Sequence, residues 1–152
     1  MVEAAKRLLN EYVHLGKELP SEEETDQTGE KLHLAAHRGK VVVFYFYSSG
    51  IPLAEGEIQF LKQIHKHFEG KDLAILGVAT EKGRDRFDQF KTIQQIPWTV
   101  YLDGNGLQGP IARKYSVRGL PSLWVLDRKG RARFFNISGR DLRLAIDKLL
   151  QE

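Results

Sequence analysis

The stretch 41-VVVFYFYSSGIPLA-54 decides how the chain is read. Val41 to Tyr47 is an unbroken run of β-branched and aromatic residues, with no alternation that would leave one face wet. It marks a central strand buried on both sides. Ser48-Ser49-Gly50 then gives a turn signal. Beyond it, Ile58, Leu61, Ile64 and Phe68 recur at spacings of three, three and four, which is one face of a helix. Strand, sharp turn and helix together put the loop at the carboxyl end of a central strand. Open α/β sheets usually hold their ligands there.

Gly39 to Ser49 resembles the first core strand of thioredoxin-like proteins, and most of all the TlpA/ResA branch of thiol–disulfide oxidoreductases, which is AhpC/TSA-related. In that branch the strand runs into W-C-x-x-C, followed by a helix that begins R-A-E-M-P-x-L. A gapless overlay puts Glu57 on the family's Glu, Ile58 on its Met and Leu61 on its Leu. The two cysteine positions fall on Ile51 and Ala54, so the motif keeps its outline and loses its chemistry. A second match is Tyr115 to Asp127, which resembles Y-x-V-x-G-x-P-T-x-F-L-I-D almost position by position. The resemblance implies that Pro121 is the family's cis-proline. Leu15 to Pro20 resembles the G-K-x-x-P opening that precedes a β-hairpin in these families.

What the resemblance implies is a three-layer α/β/α sandwich with a mixed central sheet, an extra N-terminal helix and a β-hairpin. The pattern of the other segments agrees. Residues 2–14 carry Ala5, Leu8, Leu9, Tyr12 and Val13 on one helical face, expected to pack on the outside of the sheet. Thr28 to Lys31 reads as a turn leading into a short strand. The acidic run at residues 22–26 reads as a solvated hairpin arm, lacking the glycine and spacing of a calcium loop. Residues 73–80 and 98–102 read as strands, and residues 84–93 as a helix with Phe87 and Phe90 inward. Residues 107–115 read as a helix restricted by Gly109-Pro110. A turn at Asp127 to Gly130 returns the chain as a strand over 131–136. An amphipathic helix closes the chain, with Ser138 or Asp141 near its N-cap. One thioredoxin-like domain over 1–152 is expected, with 1–14 as the helical extension and 15–152 as the core.

Composition narrows the chemistry. At 41% hydrophobic residues over 152 positions, the chain can bury a real core. No apolar stretch nears the ~20 residues of a membrane span. Glu3, Lys6, Arg7 and Glu11 interrupt the N-terminus, so it does not read as a signal peptide. The compartment stays open, because a leader removed earlier would leave no trace. There is no cysteine, which removes disulfides, thiolate nucleophiles and cysteine zinc sites together. Basic residues crowd the last third, from Arg113 to Arg143. Without aromatics interleaved on an exposed face they read as a solvated basic surface, and no nucleic-acid partner is expected.

Neither Ile51 nor Ala54 offers a nucleophile or an ionisable group, so these residues cannot exchange disulfides. Ser48 and Ser49 would need a general base. None of His14, His33, His37, His65 and His67 lies in a segment that the expected topology brings to them. His65 and His67 also do not share a helix face, which makes them a poor metal pair. No catalytic residue, metal or cofactor is expected. In the family, the backbone beside the cis-proline pairs with an extended peptide. The resemblance transfers that role to Leu120, with Ile51, Pro52, Leu53, Pro121 and Trp98 as the apolar patch around it. The reading is a redox-inactive module for a protein or extended peptide. Simple plugging of the old site competes with it. Two other readings stay open: an oxidoreductase by lineage whose cysteines were lost or removed, and a structural or oligomerising role for the N-terminal helix or the basic third. The oligomeric state is not set by the sequence.

Overall fold

The computed structural model describes residues 2–152. Helix α1 spans Glu3–His14, and the hairpin strands β1 (Glu24–Thr25) and β2 (Lys31–Leu32) follow. A 3-10 turn at Leu34–His37 leads into β3 (Val41–Tyr47), α2 (Ala54–His67), β4 (Leu73–Ala79) and α3 (Arg84–Gln94). Then come β5 (Thr99–Leu102), a second 3-10 turn at Gly106–Gln108, α4 (Pro110–Lys114), β6 (Ser122–Leu126), β7 (Ala132–Phe135) and α5 (Gly139–Gln151).

The main sheet has the order β5-β4-β3-β6-β7. β3, β4 and β5 run parallel, whereas β6 is antiparallel to β3 and β7 to β6. It is therefore mixed, as expected. Every residue of β3 is buried, because the strand lies in the middle with helices on both faces. Val41, Val43, Tyr45 and Tyr47 point into one layer, with Ile58, Leu61 and Ile64 of α2 and Leu142, Ile146 and Leu149 of α5. Val42, Phe44 and Phe46 point into the other, with Ile111, Tyr115 and Trp124. Alternation along one strand thus splits the core in two, the two-residue period of a pleated backbone.

Two buried aspartates tie loops to this frame. Asp103 accepts the Ile111 and Ala112 peptide N–H groups at 2.8 and 2.9 Å, capping α4 where Pro110 has no N–H to give. Asp26 accepts from Thr28 and Glu30 through Oδ1 and from the Leu102 N–H at 2.7 Å through Oδ2. Residues 22–26 are therefore not wholly a solvated arm: Asp26 is buried and pins the hairpin to the edge strand β5. An Asp two residues before a Thr is an Asx-turn signal that the acidic run obscured.

The other departure is α1. None of its residues is fully buried, and Leu8, Leu9, Tyr12 and Val13 are all exposed. Its polar side faces the sheet instead. The His14 ring lies 5.6 Å from that of Trp124, and Asn136 donates from Nδ2 to Glu11 at 2.6 Å. The helix does sit outside the sheet, but with the opposite face inward.

Candidate functional site

β3 ends at Tyr47, and Ser48 to Leu53 form a tight connection into α2. The Ile51 N–H bonds to the Ser48 carbonyl at 3.1 Å, and the Ala54 N–H to the Ile51 carbonyl at 3.0 Å. Ile51 is half-buried against the core and Ala54 fully buried, while Pro52 and Leu53 are exposed. Because Ser122 of β6 pairs with Phe46 of β3, the residues just before β6 arrive at the same end of the sheet. There Leu120 and Pro121 are half-buried, joined by a cis peptide bond.

Beside these loops lies an apolar hollow of about 240 Å³. Leu53, Gly56, Glu57 and Phe60 of the α2 side wall it, with Leu123 of β6 and the Ile137–Gly139 turn opposite. The site is thus open on the α2 and α5 side.

Trp98 does not belong to it. Thr99 pairs with Leu76, three residues before the β4 residue that pairs with Tyr47. This puts Trp98 roughly 13 Å down the sheet from the loop at ~3.3 Å per residue. It lies buried just before the outer strand β5, with the His65 ring 6.1 Å away. An apolar residue next to a proline reads the same at either end of a strand. Only the register separates them.

Arg7, Ser122 and Glu81, which the sequence reading did not place here, stand beside the site together with Glu57 of the overlay. Arg7 of α1 donates from Nη2 to the Pro121 carbonyl at 2.6 Å and to Ser122 Oγ at 3.2 Å. Ser122 Oγ in turn donates to the Gly119 carbonyl at 2.7 Å. Burial pushes the Glu57 carboxyl above the usual range, opposed by the neighbouring Tyr45 hydroxyl and the Arg7 guanidinium. Glu81, in the loop after β4, is 5% exposed and accepts the Ser49 N–H at 3.3 Å. Burial raises its pKa too, against hydrogen bonds from its own and the Ser49 N–H and the charge of Arg86. Its Oε1 and the nearby Tyr47 hydroxyl are both buried without a hydrogen-bond partner among the described residues. A lone arginine in an N-terminal helix carries no signal of this role. Glu57 had one, in the overlay that put it on a family glutamate.

The chemistry available is limited. There is no thiol in the chain. His14 and His65 pack on tryptophans and His67 on Arg143, while His33 and His37 flank the turn at the opposite, amino end of β3. Ser48 and Ser49 therefore have no imidazole to activate them. Among the described residues no group of three His, Asp or Glu is placed to hold a metal ion. Nor is any helix there long and apolar enough to cross a membrane.

Comparison with known proteins agrees with this frame. The thiol–disulfide oxidoreductase ResA of Bacillus thuringiensis subsp. konkukian is 22% identical over 142 residues, 93% of this chain and 80% of that protein. A thiol–disulfide oxidoreductase structure from Bacteroides fragilis superposes with a TM-score of 0.77 at 24% identity, covering 88% of this chain and 99% of the other. The thioredoxin domain of a Bacteroides vulgatus thiol–disulfide oxidoreductase gives 0.76 at 21% identity over 90% and 97% of the two chains. The fold is thioredoxin-like. The model of the AhpC/TSA family matches residues 15–135, and the chain belongs to that family, with hydrocarbon where its thioredoxin-like relatives are expected to carry their cysteines.

Proposed function

We propose that this chain is a thiol-free thioredoxin-like module that binds an extended peptide along Leu120. The observation that carries the reading is a free peptide edge. Among the described residues, neither the N–H nor the C=O of Leu120 makes a hydrogen bond. The carbonyls on either side are taken, Gly119 by Ser122 and Pro121 by Arg7. One residue is therefore left with both groups open and half-exposed, three positions before Leu123, which lines the apolar hollow. An extended peptide can fill both with main-chain bonds worth about 0.5–1.5 kcal/mol each. It can also place an apolar side chain against Leu53, Phe60 and Leu123. Backbone pairing plus a side-chain pocket is how strand-addition sites combine affinity with selectivity.

Fluorescence anisotropy with labelled extended apolar peptides tests this. Saturable binding is expected, weakened at least tenfold by Leu53→Asp, a change at an exposed position that should leave the fold intact. N-methylation of the peptide amide opposite Leu120 should weaken it similarly. Equal affinity for parent and N-methylated peptides would rule out main-chain pairing, and no binding by any extended peptide would favour a plugged site.

A further inference from the structure

We propose that the outward apolar face of α1 is a contact between two copies of this chain. Helix α1 is sharply two-sided, yet it is mounted with its polar side inward. Arg7, Glu11 and His14 make its contacts with the loop before β6, with Asn136 and with Trp124. The other side is left in water. Val2 is 72% exposed, Leu8 67%, Leu9 50%, Tyr12 76%, Val13 54% and Leu15 49%. A helix attached by hydrogen bonds on one face, with its hydrocarbon unspent on the other, has the wrong face covered for a monomer.

Area and charge identify the occupant. Taken together, these six residues expose on the order of 700 Å² at the fractions above, backbone included. That is close to the roughly 800 Å² that each partner buries in a stable interface. Leu8, Leu9, Tyr12 and Leu15 are themselves one wall of a shallow hollow that Phe135 of β7 closes on the other side, so the apolar surface continues from the helix onto the sheet edge. A two-fold contact brings this same surface of each copy against the other. A lipid surface fits less well. Glu3 and Glu11 balance Lys6 and Arg7, leaving none of the basic excess that draws an amphipathic helix to anionic membranes.

The pattern also gives a register. Laid antiparallel about a centre between Leu8 and Leu9, the helix sets Leu8 against the partner's Leu9. Ala5 then meets Tyr12, and Val2 meets Leu15. Each exposed apolar side chain faces another apolar one, and no charge is forced into the seam.

Light scattering on the full chain across concentration should show a dimer, converted to a monomer by Leu8→Glu with Tyr12→Glu while far-ultraviolet circular dichroism is unchanged. The chain has no cysteine, so single thiols report the register. A mixture of Val2→Cys and Leu15→Cys proteins should form the mixed disulfide at least tenfold more readily than either self-disulfide. A parent that stays monomeric at high concentration, or one that floats with phosphatidylcholine–phosphatidylserine vesicles, overturns the proposal. So does self-disulfide formation by Val2→Cys alone, which would mean a parallel pair.

Discussion

Arg7 and Pro121 are 114 positions apart in sequence and joined by a 2.6 Å hydrogen bond from the guanidinium Nη2 to the proline carbonyl. The same guanidinium reaches Ser122 Oγ, and its Nε pairs with Glu11 at 3.1 Å. Through this one side chain the N-terminal helix is fastened to the loop beside the candidate site. The contact is close: a Cβ on Gly119 would lie 2.7 Å from Arg7 Nη1, so the guanidinium would have to shift.

Removing that fastening should loosen both ends. Arg7→Ala leaves the Pro121 carbonyl without its charged donor, and a loss of about 1–3 kcal/mol is expected from urea unfolding. Arg7→Lys should restore less than half, because an ammonium cannot serve three acceptors in a fork. Gly119→Ala displaces the guanidinium while keeping its charge and should cost less than Arg7→Ala. Unchanged urea midpoints in all three would mean that the helix seat contributes nothing to stability.

The turn between β6 and β7 is held by Asp127, which is 3% exposed. It accepts the Lys129 and Arg131 N–H groups at 2.9 and 3.0 Å, Arg131 Nε at 2.8 Å and Arg133 Nη1 at 3.2 Å. Burial alone would raise its pKa, but the bonds from Arg131, Arg133 and Lys129 together hold it below the usual range. The folded state therefore binds fewer protons here than the unfolded one. The stabilisation is complete above the unfolded value near 3.9 and is lost as pH falls through the folded value. Asp127→Asn should cost roughly 2 kcal/mol at pH 7. Its deficit against the parent should shrink below about pH 4. A deficit that stays constant down to acid unfolding would show that charge plays no part.

Glu81 has the opposite sign. Its pKa is raised, so the folded chain holds this proton more tightly. The favourable contribution is present below the unfolded value of about 4.3 and disappears as pH rises through the folded one. Glu81→Gln keeps a carbonyl for the Ser49 N–H and adds a donor that the Tyr47 hydroxyl can accept. Melting followed from pH 4 to pH 7 should find the variant more stable by on the order of 1 kcal/mol at neutrality. Near pH 4 the two should coincide. A variant less stable at pH 7 would mean that the ionised carboxylate is well accommodated after all.

The frame was legible because its signals are local. The run Val41 to Tyr47, the helical face from Ile58 to Phe68 and the Pro121 to Asp127 stretch each declare an element within a few residues, and the family pattern orders them. What stayed hidden depends on register or on contacts across the chain. Trp98 looked like part of the patch until strand pairing put it just before the amino end of β5, away from the loop. The apolar periodicity of α1 was plain, but periodicity says which residues share a face and not which face turns inward. Arg7 decided that, and nothing around it in the sequence points to Pro121. Glu81 shows the same limit: nothing beside it in the sequence marks a carboxylate that is buried and accepts the Ser49 N–H.

Restoring the missing sulfur tests the overlay on which the site rests. Ile51 and Ala54 are one turn apart, linked by a 3.0 Å bond from the Ala54 N–H to the Ile51 carbonyl, at the start of a 14-residue helix. A thiol at position 51 would be partly accessible and near the positive end of the helix dipole, which favours its thiolate. A thiol at position 54 would be buried and shielded from alkylating reagents. Glu57 and Glu81 oppose the thiolate to the extent that they are ionised, so it should be less reactive than a helix-start thiol without such neighbours. Ile51→Cys with Ala54→Cys should therefore give a reversible disulfide in glutathione buffers and reduce insulin, while the parent chain does neither. In the reduced form, iodoacetamide should label position 51 well before position 54. A pair that cannot close into a disulfide, or that is labelled at equal rates, would mean the two positions are not arranged as the overlay requires.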